Sequence, residues 1–144
     1  MRILVQRSKN SYVKVEDKVV GKIDRGYVLF VGFTEEDNQQ NIDKMIQKVL
    51  NLRILDDQNG VMNESILEHK EKILSISQFT LYADTKKGNR PSYIQALNSK
   101  EAKILYEYFN QELSKYIEVE TGIFGSEMEV HITNDGTITI MLEG

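Results

Sequence analysis

Apolar and polar positions alternate from the start of the chain. Residues 2–8, 12–16, 19–24 and 26–33 are short runs rich in β-branched and aromatic side chains, broken by turn-formers at Asn10-Ser11 and Asp17-Lys18, and they predict an antiparallel meander. The period then changes. Between residues 38 and 50, Ile42, Met45, Ile46, Val49 and Leu50 recur at spacings of three and four, which predicts an amphipathic helix. Asn59-Gly60, between residues 53–57 and 61–63, predicts a hairpin, because both residues tolerate the positive φ of a primed turn. Residues 72–80 carry Ile73, Leu74, Ile76 and Phe79 without helical spacing and predict a central strand. Asn98 or Ser99, with Glu101, predicts the capped start of a second helix that buries Ile104, Leu105, Tyr108, Phe109 and Leu113 and ends near Tyr116. Residues 117–121, 127–133 and 137–142 are β-rich, and Asp135-Gly136 reads as a tight turn closing a terminal hairpin.

Strands grouped at both ends around two helices predict an α+β fold, with the helices covering a largely antiparallel sheet system, over a doubly wound parallel sheet. No repeat or linker divides the 144 residues, so one domain spanning 1–144 is expected. No stretch approaches the roughly 20 apolar residues of a membrane span. The N-terminus enters its first strand without a signal-peptide pattern and cysteine is absent, from which a cytoplasmic address is expected. A net charge of -4 excludes a general nucleic-acid binder, so any RNA contact is local and no DNA partner or membrane is expected.

The chemistry on offer is narrow. Without cysteine, and with His69 in a charged stretch and His131 in an alternating strand, nucleophilic catalysis by a Ser-His-Asp triad has little support, and no metal-ligand spacing occurs. Gly122-Ile-Phe-Gly125 is too weak a pattern to cradle phosphate and reads as a turn. What remains is the pentad Ser77, Gln78, Phe79, Thr80 and Leu81 at the end of the predicted central strand. Its hydroxyl and amide groups, and backbone N–H groups leaving the ladder, suit a developing oxyanion. Lys86, Lys87 and Arg90 follow in a loop bracketed by Tyr82 and Tyr93, the minimal kit for stacking a single-stranded nucleotide and holding its phosphate.

The pentad, the tract Gly88-Asn-Arg-Pro-Ser92, Thr121-Gly-Ile-Phe-Gly125 with Met128, and Asn134-Asp-Gly136 stand in the order and spacing of the D-aminoacyl-tRNA deacylases, which the chain resembles from Met1-Arg-Ile-Leu-Val-Gln-Arg7 to its last strand. The resemblance implies a homodimeric three-layer β/β/α fold. It also implies hydrolysis, without metal or cofactor, of the ester joining a D-amino acid, or glycine mischarged on alanine tRNA, to the terminal adenosine of tRNA. The family's site lies at the dimer interface, lined largely by main chain, with Ser77, Gln78, Phe79 and Thr80 at the catalytic positions of one subunit. Gly136, Thr137 and Arg7 stand at the chirality gate of the other. The position of Thr80 is either a nucleophile or a binding element beside which the RNA's own 2′-hydroxyl assists attack. The second is favoured here, since no sequence neighbour activates a threonine hydroxyl.

The chain departs from the family at one point. The family's cis Gly-Pro pair is Gly136-Thr137, and a cis bond costs about 2.5 to 4 kcal/mol before a non-proline residue against roughly 0.5 to 1 before proline. A trans peptide is therefore expected, and with it a weakened rejection of L-aminoacyl-tRNA. Two other functions fit the same residues: a non-catalytic module that binds the aminoacylated 3′ end, and an esterase that uses Thr80 or Ser77 as nucleophile on small esters.

Overall fold

The computed structural model describes all 144 residues. Its elements run β1 (Arg2–Val15), β2 (Lys18–Gly32), α1 (Gln39–Asn51), β3 (Arg53–Asp56), β4 (Met62–Ser65), α2 (Ile66–His69), β5 (Lys72–Ser77), a 3-10 turn (Phe79–Tyr82), α3 (Ser99–Leu113), β6 (Val119–Thr121) and β7 (Glu129–Glu143). Five strands form one sheet in the order β6-β5-β2-β1-β7, and β3 and β4 form a separate hairpin. The class is α+β, as expected. The sheet, however, is mixed: β1 is antiparallel to β2 and β7, whereas β5 is parallel to β2 and β6. β2 occupies the centre, with β5 beside it.

The four strands expected at the N-terminus are two. Asn10, at φ 48, bends β1 instead of reversing it, and the register against β7 slips between Lys9 and Tyr12, the mark of a β-bulge. The reversal comes at Glu16 and Asp17, whose φ values of 50 and 63 suit a primed turn. The expected terminal hairpin is likewise one continuous strand. β7 follows β1 on both sides of an interruption: Gln6 pairs with Thr139 and Ser8 with Asn134, so residues 135–138 bulge out opposite Arg7 alone. Asn and Asp-Gly permit positive φ in bulges as readily as in turns, so local pattern does not separate the two.

Other expectations fare better. Helix α1 starts at a reciprocal cap in which Asn41 N–H donates to Asn38 Oδ1 at 3.0 Å and Asn38 N–H to Asn41 Oδ1 at 2.6 Å. The β3–β4 hairpin forms, but of its turn residues only Gly60 has positive φ, and Asp57 Oδ1 gathers the Asn59 and Val61 amides at 2.9 and 3.0 Å. Asn98 caps α3 through the Glu101 amide at 3.0 Å. The buried stripe of α3 is Ala102, Tyr106, Phe109 and Leu113, whereas Ile104 is 60 % exposed. The stripe is turned from the expected one because Tyr106, polar at its tip, finds a hydroxyl partner inside. Helix α2, a single turn, was not foreseen.

Alternation along β2 divides the core. Leu29 and Val31 join Ile3 and Val5 of β1 beneath α1 and α3, while Val28 faces the other way with Val13, Ile23, Leu74 and Ile76, against which Met128, Val130 and Ile132 pack. No helix is long and apolar enough to cross a membrane.

Candidate active site

The ladder of β5 ends where the pentad begins. Gln78 N–H makes a last bond to Val31 O at 2.8 Å, after which the backbone turns, Leu81 N–H reaching Gln78 O at 3.3 Å and Ala83 N–H reaching Thr80 O at 3.0 Å. The expected strand therefore stops at Ser77, and Phe79 and Thr80 stand in the turn beyond it, outside the sheet. Gly32 permits this approach, since a Cβ there would lie 2.8 Å from the Gln78 carbonyl oxygen. Arg2 holds the far end: its Nη1 donates to Leu81 O at 2.7 Å and its guanidinium lies 4.5 Å above the Tyr82 ring. Burial pushes the Tyr82 phenol up to about 12.

This turn opens a cavity of about 630 Å³ at the carboxyl ends of β2 and β5. Ser77, Gln78 and Phe79 form one wall, Phe124, Gly125 and Ser126 another, and Phe33, Leu97 and Ala102 the side toward α3. Leu97 N–H to Phe33 O at 3.0 Å and Thr34 Oγ1 to Gln95 O at 2.6 Å fasten the 93–97 segment to the end of β2. Of the 18 lining residues only Tyr93 has a titratable side chain. Tyr93 meets Phe79 edge-on at 5.1 Å and, with Ile94 at 92 % exposure, forms an apolar rim. Thr80 lies just outside the lining, half-buried, and its Oγ1 accepts from the Gln78 side-chain amide.

An antiparallel bridge between Asp84 and Ser92 closes the following loop. Lys86, Lys87 and Arg90 sit exposed on it, and none has a carboxylate within ion-pair distance. His69 pairs with Glu64 at 3.0 Å, and His131 stacks on Tyr12 at 4.5 Å; neither lines the cavity. No three His, Asp or Glu side chains gather as a ligand set.

Gly136 and Thr137 are elsewhere. β7 reaches the cavity with Val130 near its start, whereas Gly136 and Thr137 lie six and seven residues further along it and line no part of the cavity. Their peptide bond is cis, which corrects the expected trans form. The expectation rested on intrinsic cost, whereas tertiary contacts hold the segment at several points. Arg7, 9 % exposed, donates to Asp135 O at 3.3 Å and Ile54 O at 2.9 Å, and pairs with Asp56 and Asp135 at 3.3 and 3.4 Å. Asn134 Nδ2 donates to Arg7 O and Ile138 O, each at 3.0 Å. One chain thus joins Arg7 to Gly136-Thr137, and Ser77, Gln78 and Phe79 to a cavity, and leaves the two groups apart.

A family model described as D-Tyr-tRNA(Tyr) deacylase matches residues 4–143. The chain belongs to that family, one of hydrolases. The D-aminoacyl-tRNA deacylase of Bacillus cytotoxicus (strain DSM 22905 / CIP 110041 / 391-98 / NVH 391-98) is 47 % identical over 144 residues, 99 % of each chain. A solved structure of the c-Myc DNA Unwinding Element Binding Protein superposes with a TM-score of 0.96 at 36 % identity, covering 100 % of this chain and 99 % of that one. A probable eukaryotic D-amino acid tRNA deacylase, at 18 % identity and a TM-score of 0.84 over 98 % and 97 % of the two chains, shares the fold. Sequence reading missed Gly32, Phe33, Leu97 and Ala102 as cavity residues, since they lie far from the pentad in sequence. Phe124 and Met128 were quoted for the resemblance without a role, and the two glycines flanking Phe124 were the available signal.

Proposed function

We propose that this deacylase hydrolyses the ester between a D-amino acid and the terminal adenosine of tRNA, releasing both. It acts as a single-domain subunit of a cytoplasmic homodimer in translation quality control. Glycine mischarged on alanine tRNA falls within the same substrate class, because a pocket that excludes L-side chains does not exclude a substrate with none. One observation carries the reading: the cavity beside the pentad offers backbone, amide and hydroxyl groups and no carboxylate, imidazole or ammonium. Such a site binds and polarises an ester without supplying a general base, so the substrate assists: the 2′-hydroxyl next to the scissile ester accepts the attacking water's proton as it passes its own to the departing ribose oxygen.

Ser77 and Gln78, with the amides of Phe79 and Thr80, hold the acyl carbonyl. The Thr80 hydroxyl, occupied by the Gln78 amide and without a base beside it, serves binding and not attack. The gate of Gly136, Thr137 and Arg7 comes from the second subunit, with threonine standing where the family has proline. Lys86, Lys87 and Arg90 hold phosphates of the acceptor end, with no role for DNA.

The test is deacylation of paired D-tyrosyl-tRNA and L-tyrosyl-tRNA by the purified protein, repeated with the D-form carried on tRNA ending in 2′-deoxyadenosine. Cleavage of the D-form, sparing of the L-form and collapse on the deoxy substrate are expected. Full activity on the deoxy substrate together with loss in Thr80→Ala would restore the nucleophile reading.

A further inference from the structure

A polar cluster lies beneath the cavity where apolar packing alone does not call for one. Ser75 is fully buried on the face of β5 that meets α3. The Tyr106 hydroxyl, also buried, donates to the Ser75 carbonyl at 2.7 Å and accepts from Ser75 Oγ at 3.5 Å. The same carbonyl receives the Gly122 amide at 3.3 Å. Burial raises the phenol's pKa, and the hydrogen bond from the Ser75 side chain opposes the rise. The Tyr106 ring lies 5.8 Å from that of Phe124.

Each partner leads to a wall of the cavity. Ser75 and Ser77 run directly into Gln78 and Phe79, whereas Gly122 opens the segment that carries Phe124, Gly125 and Ser126. Ala102, one turn earlier on α3, lines the cavity itself. A phenylalanine at 106 would fill the same core volume without burying a hydroxyl, so the oxygen is not explained by packing.

We infer that Tyr106 is a positioning residue whose hydroxyl ties the end of β5 and the 122–126 segment to α3, setting the separation of the two walls that grip the acyl-adenosine. This rests on the cavity being the acyl-adenosine site. Tyr106 does not line it and acts through Ser75, which leads into Ser77 and Gln78, and through Phe124.

Tyr106→Phe is the test and Tyr108→Phe its control, since Tyr108, on the same helix, donates its hydroxyl to Asp43 of α1 at 2.7 Å, away from the cavity. With D-tyrosyl-tRNA, Tyr106→Phe is expected to lower kcat about tenfold and shift KM less than about threefold, because displaced donors penalise the transition state more than the ground state. Tyr108→Phe keeps wild-type kinetics. In the free protein, amides of residues 77–81 and 122–126 are expected to exchange at least about tenfold faster in Tyr106→Phe, with β1 and α1 unchanged. The exchange measurement needs no substrate. If the wild-type protein failed to cleave D-tyrosyl-tRNA, the reading of the site would fall while exchange still decided the role of Tyr106. Wild-type kinetics in Tyr106→Phe, or exchange that quickens uniformly across the fold, would overturn the inference.

Discussion

The end of β5 and the bulge of β7 are both departures from one sheet, yet they are built in opposite senses. At β5 the chain turns away around empty space: a cavity with apolar walls, edged by backbone groups, with Phe79 and Tyr93 meeting at its rim. At β7 the extra residues are filled in from behind, with Arg7 and Asn134 bonding the backbone on both flanks while Gly136 and Thr137 stay exposed. One region is a hole and the other a braced projection on the same chain. On the proposed reading the two regions complete each other across a pair of molecules, and stability and catalysis are accordingly expected to separate between them.

Arg7→Ala gives the largest expected effect. It strands the Ile54 and Asp135 carbonyls and removes a guanidinium that is nine-tenths buried, for a loss of about 3 kcal/mol, read as a fall in Tm of roughly 10 °C. A Tm within 2 °C of wild type, about half a kcal/mol, would mean the projection is not braced as described. Gln78→Glu is expected to do the reverse. It is isosteric and leaves Tm unchanged, but its carboxylate opposes the developing oxyanion and lowers deacylation about hundredfold. Gly136→Ala comes third: φ of 124 and a Cβ 2.9 Å from Ile138 and 3.1 Å from the Arg7 guanidinium predict a loss of about 2 kcal/mol by denaturant titration. Smallest are Lys86→Ala, Lys87→Ala and Arg90→Ala. Each leaves stability alone and raises KM for tRNA slightly, reducing the slope of log KM against log salt by just under 1 per charge if that side chain meets a phosphate. An unchanged slope would take it off the RNA path.

What was legible in the sequence follows the same division. The helical period of α1, the Asn98 cap and the strand leading to the pentad rest on local physics, and those elements appear close to where they were expected. The pentad itself was visible because polar residues interrupt an apolar run. The bulges were not, because Asn10 and Asp135-Gly136 satisfy the requirements of a turn, and only pairing along β1 on both sides shows the strand continuing. The stripe of α3 was misread because a tyrosine's place depends on whether its hydroxyl finds a partner, here Ser75, thirty-one residues away. The cavity's remaining walls come from β2, the 93–98 segment, α3, and residues 124–130 running into β7, a convergence that no sequence spacing encodes.

The central claim is that the cavity of one chain works with the projection of another. It is tested most directly by a dimer purified through two different tags, one chain carrying Gln78→Glu and the other Thr137→Trp, each inactive as its own homodimer. Assembly in closed two-fold symmetry leaves one intact cavity-projection pair and one doubly altered pair, so about half of wild-type D-tyrosyl-tRNA deacylation is expected. A mixed dimer as inactive as its parents would contradict the account, because each chain would then hold a complete site of its own.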